Sequence, residues 1–299
     1  MKLTNEQPNG EQRTMAINLS ELQKTTQHPP IIVLHGHEGI GKSTTANGFP
    51  GAYWLNLENS TYDFEPHMVQ VPKTYAELLD HLSALAEQQH NFKTVIIDTL
   101  DKVEIMMTEY VCAQNGWKSI SDPDYGKGYG KRSAEFQNFW THIKAINDRG
   151  IAIVIIAHTM ITEIKDPILP TYDRHTINIY KTENAFIRRE ADLVGYCMIE
   201  TYTSSADGTR NLATTAGKRV IKVKPHPAYD AKTRKAAMPD ELDMCAEAIL
   251  QYYRPAPAQP KEQPKPTPQK KTSNSRLPSP ECSADAYGEH EFEDFGCYY

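Results

Sequence analysis

Long apolar runs are scarce in this 299-residue chain. The longest clean one, "IAIVIIA" at 151–157, is far shorter than the roughly 20 residues a membrane span needs. The opening "MKLTNEQPNGEQRT" has no apolar core, so no secretory signal is expected. The five cysteines (Cys112, Cys197, Cys245, Cys282 and Cys297) are scattered, with no CxxC pair. That spacing argues against a structural zinc site or a disulfide framework and fits a reducing cytoplasm. There is no internal repeat and no basic excess. The net charge is −6, and the last 19 residues hold six carboxylates and no Lys or Arg. Everything before them is therefore near neutral, which does not argue against nucleic acid, because local loops decide that contact.

What is present is an alternation of short β-rich runs with amphipathic stretches. Strands are expected at 31–35, 52–57, 68–71, 93–97, 151–157, 193–200 and 219–224. Helices are expected at 42–48, 74–90, 100–116, 131–148, 182–190 and 239–253. This order implies an α/β fold with a mostly parallel central sheet covered by helices on both faces. Four segments follow: a polar extension at 1–28, a core at 29–254, a linker at 255–280 and an acidic tip at 281–299. The linker has eight prolines and a net charge of +4, a composition that suits an extended spacer.

Gly36-His37-Glu38-Gly39-Ile40-Gly41-Lys42-Ser43 fits G-x-x-x-x-G-K-[ST] at every fixed position. It follows an apolar strand and opens a helix, the context in which such a loop holds phosphate. Backbone N–H groups are expected to cradle the β-phosphate. Lys42 is expected to bridge the β- and γ-phosphates, Ser43 to ligate Mg²⁺, and Thr44 to reach the α-phosphate. His35 and His37, beside the loop, are read as incidental rather than as a metal pair. "TVIID" ends in Asp98, an acid at the end of a buried strand, the place from which such proteins hold the metal. The alternative for Asp98 is a helix cap, and Asp101 is expected in the first turn of the next helix. ATP and Mg²⁺ are the ligands this pattern implies.

Glu58 ends the strand after the phosphate-loop helix, and His158 ends "IAIVIIAH". With the phosphate loop and Asp98, these residues resemble the RecA-like ATPases, over about 31–224. The resemblance implies that Glu58 aligns the attacking water. It also implies that His158 reads the γ-phosphate and passes its state to the loop that follows. The alternatives are a solvated loop carboxylate and a core histidine. The order of "GKSTTANGFPGAYWLNLEN", "VIIDTLDKV", "DYGKGYGKRSAEFQNFW", "IVIIAHTMITEIKDP" and "READLVGYCMI" is similar to the phage-encoded RecA-core ATPases of the Sak type, which act in single-strand annealing and recombination. Two departures stand out: there is no RecA-type N-terminal polymerisation domain, and the Pro-rich acidic tail is extra.

Two segments suit single-stranded DNA. One, 117–132, places Trp117, Tyr125 and Tyr129 among Lys118, Lys127, Lys131 and Arg132, aromatic faces for bases and cations for phosphates. The other, 159–189, follows His158 and holds Lys165, Tyr172, Arg174, Lys181, Arg188 and Arg189. For both, the alternative is a solvated loop or a nucleotide lid. Lys222 and Lys224 lie on one strand face at period two; the resemblance implies fingers that act on a neighbour's nucleotide within a homo-oligomer, and the alternative is a plain solvated strand face. The acidic tip suits a partner such as a single-strand-binding or annealing protein, this chain's own DNA loops, or plain solvation. A cytoplasmic DNA-dependent ATPase, of the bacterial host cytoplasm if the chain is phage-encoded, away from any membrane, is the leading reading. A small-molecule kinase and a nucleotide-gated binding module with little turnover remain open.

Overall fold

A computed structural model describes residues 28–58, 69–205 and 211–254, with the side chains of 202–205 and 211–216 excepted. The polar extension up to residue 27, the linker and the acidic tip fall outside these residues.

The strand that carries the phosphate loop, β1 (Ile31–Gly36), is buried along its whole length. A chain hidden on both faces has no polar side to present, and this is why "IIVLHG" reads as a continuous apolar run. Around it the strands are β2 (Ala52–Asn56), β3 (Val69–Gln70), β4 (Thr94–Asp98), β5 (Ala152–Ile164), β6 (Tyr172–Ile177), β7 (Leu193–Ser205), β8 (Asn211–Lys222), β9 (Lys232–Thr233) and β10 (Glu241–Asp243). The sheet order is β10-β8-β7-β1-β5-β4-β2-β3, with β6 on β5 and β9 on β7. The run β7-β1-β5-β4-β2-β3 is parallel, and β6, β8, β9 and β10 pair antiparallel. This is the α/β architecture expected from the alternation of elements, with an antiparallel edge added.

The helices are α1 (Lys42–Asn47), α2 (Tyr75–Glu87), α3 (Leu100–Asn115), α4 (Lys127–Asp148), α5 (Lys181–Glu190) and α6 (Ala246–Leu250). The two faces of β1 separate two cores. Ile31 and Val33 pack with residues of α2, α3, α4 and α5; Ile32 and Leu34 pack with residues of α1 and α6. Helix α2 shows how local sequence and burial agree. Thr74 caps it by accepting from the Glu77 N–H, while Glu77 accepts from the Lys73 N–H, a variant of the reciprocal capping box. Leu78, Leu82 and Leu85 recur at helical spacing and are buried, each contributing about 1.5–3 kcal/mol by leaving water.

Three expectations change. β5 runs on past Ala157 to Ile164 and folds back through β6 as a hairpin, so the first part of the expected loop at 159–189 is strand and turn, while α5 matches the helix expected at 182–190. The segment 239–253 is not one helix. It begins as β10, paired to β8, and only then turns into α6. In the first DNA segment, α4 begins at Lys127 rather than at 131, so Lys127 and Tyr129 join Lys131 and Arg132 on the helix. Among the described residues no helix is long and apolar enough to cross a membrane.

Candidate nucleotide site

Sheet order explains why distant residues meet. β5 lies between β1 and β4, with Gly36 opposite His158 and Asp98 opposite Ile156. β2 lies beyond β4, with Asn56 opposite Asp98. The Leu57 N–H donates to the Asp98 carbonyl at 2.7 Å, which brings Glu58 out beside Asp98. The phosphate loop, Asp98, Glu58 and His158 therefore all leave the sheet at its carboxyl edge, where open α/β sheets bind ligands. They line one cleft of about 360 Å³, with Glu38, Gly41, Ser43 and Thr44 on its wall.

The loop itself depends on two glycines. Gly41, at φ 105°, takes a left-handed conformation at the start of α1, which a side chain would strain. A Cβ on Gly36 would lie 2.5 Å from the Cys197 carbonyl of β7. Ile40 is buried in the α1–α6 core and anchors the loop from below. Gly39, His37 and Glu38 are exposed. The His37 ring meets His175 edge-on at 5.7 Å. The Glu38 carboxyl lies below the usual carboxylate range, chiefly through its own backbone N–H and then through His158.

Lys42 is buried, and its ammonium donates at 2.8 Å to the carbonyls of Gly36 and His37. Burial lowers its pKa from the ordinary lysine value, while Cys197 and Asp98 act in the opposite sense. The Ser43 hydroxyl donates to Asp98 Oδ2 at 3.0 Å. A serine hydroxyl and a carboxylate this close suit the hard, oxygen-seeking Mg²⁺, so the donor set fits the metal. Thr44 is exposed in the cleft.

Glu58, Asp101 and His158 offer ligand atoms that lie within 4.8 Å of one another. Thr99 Oγ donates to Glu58 Oε1 at 2.7 Å, and Glu58 Oε1 is 3.6 Å from His158 Nδ1. Asp101 accepts from the His158 backbone N–H at 3.0 Å and sits 2.8 Å from Nδ1. A proton on Nδ1, held by Asp101, fixes the imidazole's tautomer and orientation. Asp101 is in the first turn of α3, as expected. Its hold on His158 was not read from the sequence, because it depends on β5 lying against α3. His35 faces inward; its ring nitrogens meet Thr159 Oγ at 2.8 Å and the Asp230 carbonyl at 2.7 Å.

A cation missed in the sequence also reaches the loop. Arg219 of β8 lines the cleft, with Nη1 3.2 Å from where a Cβ on Gly41 would stand. Lys222 and Lys224, expected as fingers toward a neighbour's nucleotide, do not line this chain's own cleft. Lys222 stands opposite Glu241 of β10 and pairs with it at 2.5 Å, and Lys224 donates to the Ala236 carbonyl at 3.4 Å. Period-two spacing in the sequence picked out the lysines, although β8 ends at Lys222 and Lys224 lies beyond it. Arg219 has no comparable signal, because its approach to Gly41 depends on sheet order.

The residues expected at DNA separate. Arg132 is buried between Glu104 and Glu183, at 3.5 Å from each, and is not a surface cation. Arg174 and Arg188 converge on Asp230 at 2.9 and 3.2 Å. Lys131 lies over the Trp117 ring and donates to Asn115. Lys127, Lys165 and Arg189 are exposed, the last pairing with Glu190, and Tyr129 stacks on Tyr180.

The family model described as an AAA domain matches residues 28–235. The crystal structure of the flagellar accessory protein FlaH from Methanocaldococcus jannaschii is similar over 68% of this chain and 88% of that one, at 14% identity and a TM-score of 0.34. No curated protein matches the sequence.

Proposed function

The chain belongs to the AAA-domain family, and from that premise we propose that it hydrolyses Mg–ATP and grips single-stranded DNA according to nucleotide state, in phage recombination or annealing. One observation carries the reading: His158, in contact with Asp101 and Glu58 at the cleft, is on the strand that continues into the β5–β6 hairpin. The residue proposed to sense phosphate and the hairpin proposed to meet DNA are consecutive along one strand.

Lys42 and the loop N–H groups bind the β- and γ-phosphates. Ser43 and Asp98 hold Mg²⁺, which when bound neutralises charge on those oxygens. Glu58 has one oxygen on Thr99, and its other oxygen orients the water that displaces ADP from the γ-phosphorus. Asp101 holds the His158 ring, so a change at the phosphate moves Thr159 and the hairpin. Arg219 supplies positive charge at the loop from the same chain.

The test combines two measurements. ATP turnover is followed with and without single-stranded oligonucleotide, and strand retention is measured with ADP and with a non-hydrolysable ATP analogue. Turnover that rises with DNA, together with retention only under the ATP analogue, is expected. Equal rates and no retention in either state would refute the proposal.

A further inference from the structure

A second cavity, of about 600 Å³, lies against the β5–β6 hairpin, α5 and the start of α4. Its size falls in the roughly 300–1,000 Å³ range of ligand sites. Met160 and Thr162, just beyond His158 on β5, form one wall, and Asn178, Tyr180 and Lys181 form another. Both walls are tied to the nucleotide site. The Asn178 N–H donates to the His158 carbonyl at 2.9 Å. One turn beyond Asp101, Glu104 of α3 accepts from the Tyr180 N–H at 2.9 Å.

The charge inside is already matched. Arg132 lies between Glu104 and Glu183, and Arg174 and Arg188 share Asp230. A phosphate would have to compete with carboxylates for these cations, so the interior suits a neutral polar ligand. Two of the lining groups are themselves flat, the Tyr180 ring and the Arg132 guanidinium. Tyr129 and Tyr180 stack at 5.3 Å and 16°, with the Arg132 guanidinium 4.5 Å from the Tyr180 centroid. Bases stack on tyrosine rings and on guanidinium planes. Hydrogen-bonding capacity is left over. Asn184 Oδ1 is buried with no hydrogen-bond partner, whereas Arg132 Nε and Nη1 are held at 3.5 Å from Glu183 and Glu104. At the rim, Lys181 is exposed at the start of α5, a position from which a cation reaches backbone phosphate.

We propose that this cavity receives one unstacked nucleobase of the bound single strand, while Lys181 holds the adjoining phosphate. The inference rests on the DNA-binding reading above and adds where the strand is gripped. Nucleotide state reaches the pocket through β5 and through the one-turn spacing of Asp101 and Glu104 on α3.

The experiment uses the full chain with a non-hydrolysable ATP analogue and two fluorescent oligonucleotides of equal length, one intact and one made of abasic residues. The intact strand is expected to bind on the order of 10-fold tighter, the size of one base-stacking contact. Asn178→Leu and Met160→Trp, both at exposed positions, are expected to bring the intact strand to the abasic affinity and to leave the abasic strand unchanged. Equal binding of both strands by the natural chain would overturn the pocket and leave the DNA reading standing. Retention of neither strand would overturn both. Loss of both strands in both variants, with unfolding midpoints unchanged, would also count against the pocket.

Discussion

His35 is fully buried one residue before the phosphate loop, between Thr159 and the Asp230 carbonyl. Burial lowers its pKa from 6.5 to about 4 and outweighs the Asp230 carbonyl and carboxylate, which favour the charged ring; His175 and Lys42 add to the lowering. In the unfolded chain the imidazole takes a proton as pH falls through 6.5, while in the folded chain it stays neutral until about 4. Between those values the unfolded state binds more protons, so stability falls as pH falls. At about 1.36 kcal/mol per pH unit, the gap sets a ceiling of about 3 kcal/mol, of which about 2 kcal/mol is lost by pH 5. That is a large fraction of a typical total of roughly 5–15 kcal/mol. The assay is urea unfolding of the natural chain and of His35→Gln near pH 8 and near pH 5. Carboxylates titrate in both proteins and drop out of the difference. The natural chain is expected to lose about 2 kcal/mol more than the variant between the two conditions. Parallel losses would refute the reasoning, because they would mean that the ring is charged, or hydrated, in the folded protein.

Glu58→Gln should lower ATP turnover by on the order of 100-fold, a usual cost of losing a group that activates water, while nucleotide affinity changes little; steady-state kinetics and a binding titration separate the two. Gly36→Ala should destabilise the chain by about 1–3 kcal/mol through overlap with the Cys197 carbonyl, read by thermal or urea unfolding. Burial pushes the Cys197 thiol up to about 12, and Cys245 is exposed. Brief alkylation of the native chain near neutral pH should therefore label Cys245 and spare Cys197, as peptide mass spectrometry will show.

The residues that were legible in the sequence are those whose neighbours in space are also neighbours in the chain. Strand, glycine loop, lysine and helix occupy one continuous stretch, and Asp98 ends a run of β-favouring residues, so both could be read directly. Glu58 and His158 came from a resemblance, and the structure brings both to the cleft because β2 and β5 flank β4. What was missed depends on long-range pairing. Glu241 belongs to a strand only because Lys222 stands opposite it, which no helical periodicity at 239–253 reveals. The hairpin did carry a local signal. Ile161, Thr162 and Ile164 on one side and Thr176 and Ile177 on the other flank the turn-forming "DPILP", a pattern of β-branched runs around a proline turn. The glycine-rich run before Arg132 read as a loop, but tertiary packing makes it the first turns of α4, with Gly128 against Ile120.

Calorimetric titration of ATP into the full chain, with and without Mg²⁺ and alongside Lys42→Ala, probes the nucleotide site itself. Saturable binding that strengthens with Mg²⁺ in the natural chain and disappears in the variant is the expected result. No heat in the natural chain, or the same isotherm from both proteins, would contradict the placement of a magnesium-bound triphosphate between Lys42, Ser43 and Asp98.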